Sequence, residues 1–350
     1  MAYTTINKST LYFNDKFYTG TGSNGNAITG VGFQPDFIWI KDRVNAYSHR
    51  LYDSVKGVNS ALNSDNTAAA SQYAQYGQLE SIDSDGFTVG QGSSNGAAMN
   101  DSGDGHASWS WKAGTTGSGT TTGSGTGKAY SYSVNTTAGF SIVKYKGNAT
   151  NGHEIPHHLG VAPSWTIIKR TSGTEDWIVQ SATRGWNKRL ILNTNNSEAS
   201  HTDFISGVST TTFTLQTNGS VNSNDEDYIA YVFADKTGYS KVGSYTGNGN
   251  NDGTFVYTGF KPKLVIVKEA GASGNWIMKY DYHTNQNDYY VLSNDSATEA
   301  SGAVVGFDLL SNGFKLRGTA GDSNGSGANI LYMAFGQSAV GTNNVPCTAR

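Results

Sequence analysis

His153, Glu154, His157 and His158 form the densest group of titratable side chains in the sequence. Imidazoles beside a carboxylate are what zinc coordination or proton transfer requires. The corresponding stretches of two similar segments, 25–29 and 253–257, carry no such group, so these residues read as polar loop positions ahead of a strand. Asp83-Ser84-Asp85-Gly86 opens like a calcium loop, but the twelfth position is Ser94 where an EF-hand needs glutamate, which leaves only a simpler loop-bound ion. Glu175, Asp176, Asp225, Glu226 and Asp227 are acids of the type that hydrolyse glycosides when they face each other across a cleft. As neighbours in turns they read as solvated. No G-x-S-x-G nucleophile is present, and Cys347 has no upstream partner residues to activate it. Gly20-Thr21-Gly22-Ser23-Asn24-Gly25 matches a dinucleotide-binding pattern, yet β-type sequence flanks it on both sides, which makes it a hairpin. Gly127-Lys128 lacks the remaining residues of a P-loop. The expectation is a protein that is not an enzyme, with no catalytic, cofactor-binding or metal set.

The aromatic residues carry the remaining chemistry. Seven Trp and 20 Tyr on a β scaffold either fill cores or offer faces on which sugar rings stack. Trp39, Trp109, Trp111 and Trp165 sit in strand patterns and are expected in cores. Trp177 and Trp276 recur in similar settings, Asp176-Trp177-Ile178 and Asn275-Trp276-Ile277, which argues for shared packing. Trp186 stands among polar residues with no counterpart. With Arg184, His157 and His158 it makes up the candidate surface-binding set.

What must position these residues is a threefold internal repetition. Gly32-Phe33-Gln34-Pro35 runs into Phe37-Ile38-Trp39-Ile40-Lys41, Gly160-Val161-Ala162-Pro163 into Trp165-Thr166-Ile167-Ile168-Lys169, and Gly259-Phe260-Lys261-Pro262 into Leu264-Val265-Ile266-Val267-Lys268. Each is followed by a Phe-x-hydrophobic step at Phe87, Phe213 or Phe314. Each closes on an aromatic strand ending at Trp111, Phe233 or Phe335. The unit is about a hundred residues, long enough to be a domain rather than a solenoid repeat.

Period-two alternation and turn clusters such as Asp85-Gly86, Asn251-Asp252-Gly253 and Asn312-Gly313 dominate, and the best helical candidate, 68–78, is weak. The expected fold is all-β, with three tandem β-sandwich units of jelly-roll or lectin-like type at 12–113, 139–236 and 239–337. An N-terminal anchor segment, 1–11, precedes them and is expected to dock on another protein or a sister subunit. A Gly/Ser/Thr-rich linker, 114–138, separates the first two units, and a C-terminal tail, 338–350, follows the third. The net charge of -3 shows no basic stripe, so nucleic acid is not an expected partner. No apolar run reaches the roughly 20 residues needed to cross a bilayer, and one cysteine permits no intrachain disulfide. Synthesis in a reducing cytoplasm follows.

The opening residues 1–10, the run 30–41, His49-Arg50-Leu51-Tyr52-Asp53-Ser54-Val55, the run 239–250 and the ending Val345-Pro346-Cys347-Thr348-Ala349-Arg350 resemble a family of repeat-containing virion proteins of marine and cyanobacterial tailed phages. The likeness covers essentially the whole chain. It implies a virion structural protein, tail-fibre-like or appendage-like, released by lysis onto the virion surface. It brings no catalytic residues. The function expected from it is attachment to a host-surface glycan or envelope component, through a homo-oligomer, with a trimer favoured, bound to other virion proteins. The alternatives are a capsid decoration or head-fibre protein, and a polysaccharide depolymerase spike.

Overall fold

The structure is a computed structural model that describes residues 4–93, 97–285 and 289–338. It is nearly all β, built from several antiparallel sheets, as the alternation of the sequence requires. One strand order recurs three times. In the first repeat Phe13–Thr19 pairs with Gly105–Trp111, which pairs with Phe37–Asp42 and then Arg50–Asp53. The same neighbours return as Phe140–Lys146, Asp227–Phe233, Trp165–Arg170 and Ile178–Ser181, and as Ser240–Thr246, Asn329–Gln337, Lys261–Glu269 and Trp276–Tyr280. Each of these sheets faces a smaller one whose central strand is Gly86–Gly90, Thr212–Leu215 or Gly313–Leu316.

Between each pair of sheets lies a separate apolar cluster, containing for example Ile38, Ile40 and Phe87, or Ile168, Phe213 and Ala230, or Val265, Val267 and Phe314. The alternate residues of the same strands point the other way, into a fourth cluster that all three repeats share. This explains why Leu264-Val265-Ile266-Val267 is apolar on both faces: Leu264 and Ile266 belong to the shared core, Val265 and Val267 to the repeat's own. Trp111, Phe233 and Phe335 are buried at the meeting point, where the Phe335 ring lies 5.5 Å from Trp111 and 5.7 Å from Phe233.

Around this core the repeats grip one another in a cyclic order. Trp177 Nε1 donates to Asn63 O at 2.8 Å, from the second repeat to the first, and Trp276 Nε1 donates to Ile191 O at 2.9 Å, from the third to the second. In the first repeat the equivalent position is His49. Its Nδ1 accepts from Trp39 Nε1 at 2.8 Å, so Nε2 carries the proton and donates to Leu292 O of the third repeat at 2.9 Å. Burial, reinforced by the nearby Lys41 charge, pushes the His49 imidazole down to about 3, so it is neutral at ordinary pH. Lys41, Lys169 and Lys268 repeat the pattern, each buried and each donating across to a carbonyl, of Ser296, Thr67 and Asn195 respectively. Burial lowers all three ammonium groups to about 8, and the carbonyl acceptors offset part of that cost.

One expectation meets a correction. Segment 114–138, expected as a linker, contains strands Thr115–Thr120, Thr122–Gly123 and Ala129–Asn135, which extend the sheets of the second repeat. Backbone pairing needs no apolar side chain, and the rings of Tyr130 and Tyr132 lie over the facing Gly119 and Gly117, covering strands that bury little else. The described part of the N-terminal segment, 4–11, packs on its own chain: Ile6 enters the shared core and Ser9 N donates to Gln337 Oε1 at 2.6 Å. No helix forms at 68–78. Among the described residues the α-helices are single turns at Ala97–Asn100, Gly219–Asn222 and Gly321–Asn324. All of the expected C-terminal tail beyond Ser338, Cys347 included, lies outside the described residues.

Candidate functional site

The histidine cluster resolves into separate structural roles. His153 is buried, with Nδ1 at 2.9 Å from Asn222 Oδ1 and Nε2 at 2.7 Å from Thr121 Oγ1, and burial holds its imidazole below the usual value. His157, expected at the surface, is also fully buried: its Nδ1 accepts from Leu159 N at 3.2 Å and its Nε2 meets Ser209 O at 3.3 Å. Desolvation takes it down to about 4. His158 adopts φ 58° and points elsewhere, stacking 3.7 Å from the Tyr132 ring, with Nε2 3.0 Å from Tyr130 Oη. Adjacent in sequence, the two imidazoles therefore do not act as a pair.

Arg184 is held by a two-pronged contact with Glu198, at 2.8 and 2.6 Å, and Trp186 is half-buried against the core of the second repeat. Both lie beyond Ile178–Ser181, whereas His158 stacks on Ala129–Asn135, four strands away in the same sheet, a separation of about 19 Å. The four candidate residues do not form one site.

The acids are likewise engaged. Arg170 pairs with Glu226 at 2.7 Å, Lys146 with Asp227 at 3.1 Å, and Asn193 Nδ2 donates to Asp176 at 2.8 Å. Asp85 accepts from Gly30 N and Gly32 N at 3.0 and 2.6 Å, which braces the turn at Gly30–Gly32. No group of three or more His, Cys, Asp or Glu side chains among the described residues is placed to hold a metal ion. The glycine-rich stretch 20–25 is a turn pinned by Asn100, whose Oδ1 accepts from Thr21 N at 2.9 Å. Asn222 and Asn324 do the same for Asn148 N and Asn248 N, at 2.9 and 3.0 Å.

An acid pair, Asp15 and Asp281, sits at the seam between first and third repeats. Burial and the Asp15 charge push the Asp281 carboxyl up to about 8, and Lys263 donates to Asp15 and to Asn14 Oδ1. Asp15 is buried and its ammonium partner is in place, so this cluster joins repeats.

A cleft of about 880 Å³ lies between the first repeat and the added strands of the second. Gln34 and the buried Phe33 come from the loop before Phe37–Asp42, Lys112 from the end of a closing strand, and Thr116, Ser131 and Tyr132 from the added pair of strands. Asp36 at its base is saturated, accepting from Ser54 Oγ at 2.7 Å, Ala113 N at 2.8 Å and Ser133 Oγ at 3.2 Å. The cleft thus offers an amide, hydroxyls and one ammonium as hydrogen-bonding groups, while the Tyr132 ring, on the opposite face of its strand from Ser131, packs over Gly117 and His158 against the second repeat's own core. Sequence reasoning missed this cleft, because its wall is assembled from separate segments, none with a motif of its own. The buried lysines did leave a signal: a lysine at the same place in three otherwise apolar strands. No curated protein and no solved structure matches the chain. Residues 8–339 match one family across almost their entire length, and the chain belongs to it: the family described as Domain of unknown function (DUF7483).

Proposed function

We propose that this chain is a non-enzymatic structural protein of a phage virion surface, tail-fibre- or adhesin-like, attaching to a host-surface glycan. Its three repeats serve as lectin-like β-sandwich units. The observation that carries the binding half of this reading is the cleft between the first repeat and the added strands of the second. It is open, large enough for several sugar rings, and presents Gln34, Thr116, Ser131 and Lys112 as hydrogen-bonding groups. The non-enzymatic half is supported by the engagement of His153, His157 and the acids in structural contacts. The virion half is supported by the sequence resemblance. In this reading the protein is made in the host cytoplasm, assembles with other virion proteins as a homo-oligomer, a trimer being favoured, and is released by lysis.

Labelling intact particles with an antibody against the purified chain, and imaging them, tests the assignment. Label at the tail extremity is the expected result. Label on capsid faces or vertices would replace attachment by capsid decoration, and unlabelled particles would remove the protein from the virion.

A further inference from the structure

The three repeats supply an internal control for what the fold itself needs. Val256, Ile28 and Ile155 occupy one equivalent position, each facing the Phe of the neighbouring strand: Phe314, Phe87 and Phe213. The flanking residues, whose side chains take the opposite, outer face, are Ala27 and Thr29 in the first repeat and Glu154 and Pro156 in the second. In the third they are Phe255 and Tyr257. Two repeats fold with no large apolar group here. Phe255 and Tyr257 are nonetheless 44% and 55% exposed, side by side on the strand Phe255–Tyr257.

The pair forms an exposed aromatic platform. The two residues are about 7 Å apart along the strand, and the Phe255 ring leans over Gly313, where a Cβ would come within 3.1 Å of it. Lys241 borders it, with Nζ 5.6 Å from the Tyr257 ring centre and donating to Tyr257 O at 2.9 Å. The other rim charges cancel in pairs, Lys315 with Asp252 at 2.6 Å and Arg317 with Asp308 at 2.5 Å.

Size and charge decide the occupant. Two half-exposed aromatic side chains present roughly 200 Å², far below the ~800 Å² per partner of a stable protein interface. A second copy of the chain or a partner protein is therefore a poor fit, and the paired rim selects no strongly charged ligand. We propose that Phe255 and Tyr257 are a second saccharide-binding platform, stacking the C–H faces of adjacent pyranose rings of a neutral oligosaccharide while the rim groups take its hydroxyls. This rests on the saccharide reading of the protein and adds a site in a different repeat from the cleft.

Calorimetric titration of the full chain with cellohexaose and with maltohexaose tests it. The expected result is millimolar binding of at least one of them, weakened about tenfold by Phe255→Ala with Tyr257→Ala at an unchanged unfolding temperature. Gln34→Ala with Lys112→Ala in the cleft should leave the platform's contribution in place. Affinity that is unchanged in the platform variant but lost in the cleft variant would overturn the platform and keep the cleft. No binding of either oligosaccharide at millimolar concentration would overturn the platform, while binding of a host polysaccharide that depends on the cleft would still support the broader reading.

Discussion

His49 shows how a single residue can stand in for a different one. It occupies the position of Trp177 and Trp276 and makes the same donation to the neighbouring repeat, but through a ring that titrates. The unfolded chain takes up a proton near the usual 6.5, while burial delays uptake in the folded state to about 3. Between those values the unfolded state binds more protons, so this contribution to stability is full above pH 6.5 and drains as the pH falls. His49→Gln keeps one acceptor and one donor without titrating. Urea unfolding at stepped pH should show the acid slope reduced by about 1.4 kcal/mol per pH unit in the variant; an unchanged slope would mean that His49 is not held neutral. Asn222 is the second residue-scale test. Its amide accepts from Asn148 N and donates to Thr150 O and Gln216 O, all inside the second repeat. Asn222→Ala leaves several buried groups without partners and should cost about 3 kcal/mol in denaturant unfolding. A cost below about 1 kcal/mol would show that water satisfies that turn.

At the scale of elements, the strands Thr115–Thr120 and Ala129–Asn135 mark where sequence reading stopped short. Their Gly, Ser and Thr content has no apolar stripe to reveal a strand, and only Tyr130 and Tyr132, facing Gly119 and Gly117, hinted at a cross-strand cover. Replacing both tyrosines by alanine should expose that pair: amides of 115–120 are expected to lose hydrogen-exchange protection while those of Asp227–Phe233 keep theirs. Equal loss in both would mean that the added strands support the sheet rather than lean on it. The landmark strands behaved otherwise. Phe37, Trp165 and Leu264 were legible because proline and glycine punctuate their starts and the apolar run that follows has a fixed length. His157 was misjudged because a polar residue before a strand looks the same in sequence whether its partners are water or Ser209 O.

For the whole molecule, the repetition announced three equivalent units but not their grip on one another. Strands such as Leu264-Val265-Ile266-Val267 are apolar on both faces because the second face belongs to the core shared by all three repeats. Nothing in one repeat's sequence states that Trp177 will donate to a carbonyl of another. With Trp111, Phe233 and Phe335 meeting in one core, separate unfolding of a repeat would expose the aromatic faces of the other two. Calorimetry should therefore give a single cooperative transition, and separate, well-resolved transitions would contradict the shared core as a source of stability.

The same rigid assembly is what the functional account asks to hold ligand without altering it. The most direct test incubates the purified full chain with host surface polysaccharide and follows bound protein and polymer length in one sample. The account predicts saturable binding, weakened by Gln34→Ala with Lys112→Ala, with the length distribution of the polymer unchanged. Progressive shortening of the polymer would contradict it, and would turn attention to Glu154 and the acids around Asp225 as catalysts.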